Sequence, residues 1–330
     1  MEMALKNYIL KMLAKLSPEE RQEVISYFLD SELSNEIDLE NTINKIRESR
    51  FNEGLVCPHC HNDDIIKHGK TNKQQRYRCK SCERTFTDFT GTPIEQIMKK
   101  KEFFHSLQCM LEGKSLPETA KEIGVSIPTA FDWRHKVLSA LKKNKNDKLS
   151  GLLEVDDTFF LHSEKGNPNL ARKPRKRGGK AKKRGVSNEQ VCVIVGLDRD
   201  GNSISKIACH GRPSANDIDK VLRIDEDGEM LLCTDKHPSL GKYAKMNEFK
   251  HIELNLSKNI RVIKNIYHIQ NVNSYHSRLK EWLRRFKGVA TRYLDNYLCW
   301  FDFVDRAGRD IKKETAKRQL MTTVCSSAAA

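Results

Sequence analysis

The chain has 330 residues, room for two or three domains, and 38% of them are hydrophobic, enough for a packed core. No uninterrupted apolar run approaches the roughly 20 residues of a transmembrane helix, which argues against a membrane protein. A net charge of +15, from 59 Lys and Arg against 44 Asp and Glu, calls for a polyanionic partner. Nucleic acid is favoured over a membrane surface, since nothing beyond the first turns of the chain resembles a basic amphipathic anchor.

The opening stretch, MEMALKNYILKMLAKL, sets lysines between apolar residues and has no small-residue cleavage site. It does not read as a secretory signal, so the expected location is the cytoplasm, in association with DNA. Residues 1–50 form an expected helical segment. Ser17-Pro18-Glu19-Glu20 is a helix start, and Val24, Ile25, Phe28 and Leu29 follow at helical spacing as a packing or dimerising face.

Residues 51–92 hold Cys57-Pro-His-Cys60 and, eighteen residues on, Cys79-Lys-Ser-Cys82. Two such knuckles can present four thiolates to one tetrahedral Zn²⁺, and the intervening length suits a hairpin, with a turn expected at His68-Gly69-Lys70. Tyr77, Phe86 and Phe89 are candidates to cover this zinc ribbon, whose small core leaves metal binding to supply its folding energy. The other cysteines are scattered, mostly in apolar segments, and read as buried small hydrophobes rather than disulfides.

Residues 100–142 predict a helix-turn-helix region. A helix from Ser115 ends at a Gly124 turn, and a second helix, N-capped by Ser126, buries Ala130, Trp133 and Val137. Ser126, Thr129, Asp132 and Lys136 are then the candidate DNA contacts of a recognition helix; an ordinary helical hairpin is the competing interpretation.

From residue 150 to 306 the texture becomes β-rich and then helical. LEVDDTFFL, QVCVIVGLD, SISKIACHG and MLLCTD are expected strands, a helix starts at Ser214, and residues beyond 266 are expected to be helical to about 306. This order suggests a mixed sheet flanked by helices. Between the first two strands lies RKPRKRGGKAKKR, with Arg172, Lys173, Arg175, Lys176, Arg177, Lys180, Lys182, Lys183 and Arg184 and no acid. A run without apolar periodicity is a solvated loop or, set into this sheet, a DNA-gripping arm. Asp156 on the first strand and Asp235 after the fourth would pay a desolvation cost that bound cations would offset. On the later helix, Asn273, His276 and Lys280 share one face, as a third ligand and a cation near a scissile phosphate would. Residues 307–330 read as a small, polar tail.

These residues together resemble the ISXO-two-like group of bacterial insertion-sequence transposases, within the DDE superfamily. The likeness runs from about Leu55 to about Asp305, through CPHC…RCKSC, LEVDDTFF with its basic insert, CTDKHPSLGKYAK and YHIQNVNSYHSRLKEWL. The resemblance implies an α/β chain in which a zinc ribbon and a helix-turn-helix precede an RNase H-like catalytic domain. It assigns Asp156, Asp235 and Asn273 to two Mg²⁺ or Mn²⁺ ions and puts Lys280 on the DNA. Asn273 stands where the superfamily usually has Glu, and His276 where the group more often has Trp. The expected function is that of a transposase that cleaves and joins DNA at transposon ends, as a homodimer or higher oligomer. The competing functions are a transposase-derived transcriptional regulator and a structure-specific nuclease or resolvase.

Overall fold

The computed structural model describes residues 44, 47, 48, 51, 54–71, 74–144, 148–170, 173, 179–222, 230–255, 258–310 and 320. The expected helical segment 1–50 and the tail 307–330 thus lie almost wholly outside the described residues.

The cysteine-rich region is a three-stranded antiparallel sheet of β1 (Ile65–Thr71), β2 (Gln74–Cys79) and β3 (Thr85–Thr87), in the order β1-β2-β3. The turn expected at His68-Gly69-Lys70 is not there. Those residues belong to β1, and Thr71 pairs with Gln74. Gly69, at φ 69°, instead accommodates a register shift between Lys67 and Lys70, a conformation glycine adopts without a Cβ penalty. Tyr77 and Phe86 stack 5.4 Å apart and pack with Cys57 and Cys79. Phe89 does not cover the ribbon: it is buried in the main core with Ile94, Phe103 and Phe104.

Three helices follow, α1 (Lys100–Leu111), α2 (Leu116–Ile123) and α3 (Ile127–Asn144). Ser115 and Glu118 form a capping box at the start of α2, and Gly124 ends it at φ 66°. Ser126 Oγ accepts the Thr129 N–H at 3.3 Å and so starts α3. Ala130, Trp133 and Val137 are buried, as their spacing requires.

The central sheet has five strands: β4 (Leu152–Leu161), β5 (Gln190–Leu197), β6 (Ser203–His210), β7 (Leu231–Asp235) and β8 (Lys250–Leu254). Their order is β6-β5-β4-β7-β8. The first three form an antiparallel meander, whereas β7 runs parallel to β4 and β8 parallel to β7. Helices α4 (Ala215–Val221) and α5 (Pro238–Met246) supply Ile218, Leu240 and Tyr243 to one face, against Leu153, Val155 and Ile194. After a short hairpin, β9 (Val262–Ile263) with β10 (Tyr267–His268), α6 (Gln270–Arg284) and α7 (Thr291–Asp310) cover the other face. There Val272, Tyr275, Leu279 and Trp300 pack with Val191, Val193 and Val195. This is an RNase H-like mixed sheet with helices on both faces.

Two further expectations change. The edge strand β8 is not evident in the sequence because KHIEL mixes exposed charge with half-buried positions. The helical stretch expected from 266 to 306 is two helices, parted where Lys287 and Gly288 take φ 52° and 97°. The Thr291 N–H then donates to Ser163 O at 2.8 Å and ties the start of α7 to the loop after β4. Among the described residues no helix is long and apolar enough to cross a membrane.

Candidate active site

Side chains alternate along β4, so Leu153 and Val155 enter the core beneath α4 and α5 while Glu154 and Asp156 face α6. The register of β7 on β4 pairs Leu152 with Leu231, Leu153 with Leu232 and Glu154 with Cys233. Continued by two residues, it sets Asp235 beside Asp156 on the same face of neighbouring parallel strands. Their mutual repulsion adds to burial: Asp156 is pushed up to about 7, chiefly by desolvation and then by the charges of Asp235 and Asp157. Desolvation also raises Asp235, against the opposing effect of His237. Among the described residues, Asp235 Oδ1 is buried with no hydrogen-bond partner, as is Asp157 Oδ2. Desolvated carboxylates with free lone pairs are the donor set a hard divalent cation needs.

Glu154 has a different task. It is 1% exposed, and its carboxylate accepts the Asn271 N–H at 2.9 Å, the Val272 N–H at 3.1 Å and the Asn271 amide at 2.8 Å. Arg199 adds an ion pair at 2.8 Å. Residue Ile269, at the N-cap of α6, offers no side-chain cap, so a strand carboxylate caps this helix. The same helix is pinned further along. Tyr275 donates to Asp302 and to Ser205, and Arg278 forms a two-pronged pair with Asp305 at 2.7 and 3.0 Å.

Helix α6 thereby brings His276 and Lys280 to the acids and carries Asn273 in its first turns. His276 is 7% exposed, and its Nδ1 lies 3.6 Å from Asp156 Oδ2. Burial, then the Lys280 charge, pushes its pKa down to about 4, so it sits neutral against the acid at pH 7. Lys280 is exposed yet close enough to favour the ionised form of Asp156. Asn273 is exposed one turn before His276, with its own N–H bonded to Ile269 O. Sequence reasoning passed over Glu154 and Asp157, although both stand in the same LEVDDTFF run; alternation puts Glu154 and Asp156 on one face and Asp157 on the other, but does not say which face meets α6.

The expected DNA contacts lie on α3 and in the insert between β4 and β5. Ser126 and Thr129 share a hydroxyl contact at 2.9 Å within the α3 cap, and Asp132 pairs with Lys136 at 3.2 Å. Phe131 and His135 on α3 pack against Tyr293 of α7, so the helix joins the core of the five-stranded sheet. Lys173, Lys180, Lys182, Lys183 and Arg184 are exposed, while Arg172, Arg175, Lys176 and Arg177 lie outside the described residues. A cleft of about 1310 Å³ opens between α2 and the end of α6, with Lys121, Lys165, Arg284 and Arg285 on its walls.

In the ribbon, Cys57 Sγ is 3.6 Å from Cys82 Sγ, and Cys60 Sγ is 3.6 Å from Cys79 Sγ. All four sulfurs lie within 4.8 Å of one another. Zn–S bonds of about 2.3 Å in a tetrahedron require sulfurs about 3.7 Å apart, so the four thiols fit a structural zinc ion.

Comparison with known proteins agrees with this architecture. Residues 148–304 match the ISXO2-like transposase domain, and residues 54–83 match the InsA N-terminal domain, a zinc ribbon. An uncharacterized protein in transposable element ISH50 of Halobacterium salinarum is 25% identical over 283 residues, covering 85% of this chain and 95% of that one. A crystal structure of a pre-cleavage Mos1 transpososome aligns with 82% of this chain and 85% of its own, at 10% identity. Its TM-score of 0.19 lends no weight to either fold or function. Over residues 148–304 the chain is thus similar to the ISXO2-like transposase domain, and over residues 54–83 to a zinc ribbon of the InsA type.

Proposed function

We propose that the protein is a DNA transposase that cleaves and joins DNA with divalent ions held by Asp156, Asp235 and Asn273. The observation that carries this reading is the parallel register that sets two desolvated carboxylates side by side, one with an oxygen left unpartnered among the described residues. Bound Mg²⁺ or Mn²⁺, in a two-ion arrangement, would supply an activated water and charge stabilisation at the phosphate. The residues of the chain do the rest. Asp156 and Asp235 stay ionised to hold the cations, and the exposed Asn273 amide adds an oxygen at the solvent side of α6. Lys280, on the same helix face, neutralises phosphate charge. Neutral His276 packs on Asp156 and shields it from water without bringing a competing charge. Because α6 is clamped by Glu154, these groups are held in place before substrate arrives, as an in-line displacement demands.

The exposed cations of the insert between β4 and β5, together with α3, are proposed to hold transposon-end and target DNA, with a homodimer or higher oligomer assembling on it. The test is end cleavage and strand transfer on supercoiled and linear DNA carrying candidate transposon ends, in Mg²⁺ and in Mn²⁺. Asp156→Ala and Asp235→Ala should bind DNA and be inactive. Binding by wild-type protein with no cleavage in either ion would favour a regulator. Cleavage of branched DNA without joining would favour a resolvase.

A further inference from the structure

Among the described residues a second cluster of metal-ligating side chains lies outside the ribbon. His105 and Cys109 are one turn apart on α1, so both project from one helix face, and Glu122 sits in the last turn of α2. His105 Nε2 is 3.2 Å from Glu122 Oε1, and Cys109 Sγ is 3.5 Å from the same oxygen. One donor atom from each of the three residues lies within 4.8 Å of the other two.

These separations can be set against the ribbon, where the sulfur pairs are 3.6 Å apart. Zinc bonds to nitrogen and oxygen are shorter than those to sulfur, about 2.0–2.2 Å against about 2.3 Å. Mixed donors around one tetrahedral ion therefore stand about 3.3–3.7 Å apart. The observed 3.2 and 3.5 Å are within a small adjustment of that spacing. The donor types agree as well: one sulfur, one imidazole nitrogen and one carboxylate oxygen are ligands of zinc rather than of magnesium or calcium.

Charge also balances. A thiolate and the Glu122 carboxylate together neutralise a dication. Lys114, whose Nζ is 2.5 Å from Glu122 and 2.6 Å from Glu112, keeps Glu112 as its counter-ion. His105 and Glu122 are partly exposed while Cys109 is buried, which leaves an approach from solvent and room for water as a fourth ligand.

We propose that His105, Cys109 and Glu122 form a second zinc site, with water as its fourth ligand, that links α1 to α2 just before the Gly124 turn. Its consequence is mechanical, since it fixes the angle between the helices that present α3. Burial and the Glu122 charge push the Cys109 thiol up to about 12 in the absence of metal, so binding expels a proton and strengthens as pH rises.

The test uses full-length protein with the ribbon zinc in place. Elemental analysis should find two zinc ions per chain in the wild type and one in His105→Ala and in Cys109→Ala. Co²⁺ added to protein holding only the ribbon zinc should produce a thiolate-to-cobalt absorption band that zinc then bleaches. Glu122→Gln should weaken Co²⁺ binding at least tenfold. Circular dichroism establishes that each variant is folded; should Cys109→Ala fail to fold, His105→Ala, altered at a partly exposed position, decides alone. One zinc ion per chain in the wild type, with no cobalt-thiolate band, would show the three residues to be only a hydrogen-bonded triad. A band that survives both substitutions would place the metal elsewhere and equally overturn the proposal.

Discussion

The Glu154 carboxylate on β4 accepts hydrogen bonds from both the backbone N–H and the side-chain amide of Asn271, at 2.9 and 2.8 Å. A strand two residues from a candidate metal ligand thus holds the first turn of the helix that carries the third. Glu154→Gln removes the negative charge facing the helix N-terminus and Arg199. Breaking a buried, hydrogen-bonded ionic contact of this kind costs about 3 kcal/mol. Strand transfer should fall more than stability accounts for, because α6 loses its anchor at the end nearest Asn273. Chemical denaturation and single-turnover joining, measured on the same preparation, check this.

Asp156 should make stability pH-dependent in magnesium-free buffer. Its folded pKa of about 7 lies above the ordinary value of 3.8, so the folded state holds the proton more tightly. The stabilisation is complete below about pH 4 and is lost as pH rises to about 7. Relative to wild type, Asp156→Asn should gain stability across that window, by an amount on the order of 4 kcal/mol at most, and the gain should level off above it. His276, pushed down to about 4, acts oppositely as pH falls below 6.5, but it does so in both proteins. Added Mg²⁺ should shrink the difference. Parallel stability curves for the two proteins from pH 4 to 8 would refute the assignment.

Asn273 is exposed, so Asn273→Ala should leave the fold and DNA binding unchanged. Strand transfer should drop at least tenfold, while Asn273→Asp retains an oxygen ligand and most of the activity. If Asn273→Ala joins ends at the wild-type rate, the third ligand is another residue. Glu281, the first alternative, already pairs with Arg284 at 2.7 Å and lines the cleft beside α2.

Deleting residues 172–184 should weaken binding to all DNA sequences alike and flatten the dependence of affinity on salt. Lysines and arginines on phosphate release counterions and carry little base information. An unchanged slope of log affinity against log salt would reduce the insert to a solvated surface.

Stripping zinc from the ribbon, or replacing Cys57 with Ala, should unfold residues 55–92 selectively. Among the described residues the ribbon's own buried cluster is just Cys57, Tyr77, Cys79 and Phe86. Limited proteolysis should cut in this region first while the five-stranded sheet stays protected. Zinc-free protein that resists cleavage as well as the loaded form does would contradict a structural role.

Local chemistry in the chain determined a great deal. The C-x-x-C pairs specified a ribbon because each knuckle places two thiols on its own. Ser115, Gly124, Ser126 and Ser214 marked helix ends because caps and left-handed turns are satisfied within a few residues. Alternation and apolar runs revealed four of the five central strands, but not the half-exposed β8. What LEVDDTFF could not disclose is the division of labour among its acids, since Glu154, Asp156 and Asp157 look alike along one strand. Only the packing of α6 makes Glu154 a helix cap, and only the pairing of β7 brings Asp235 to Asp156. Both relationships join residues far apart in the chain, and the energies that select them, desolvation and strand register, exist only once the sheet has formed.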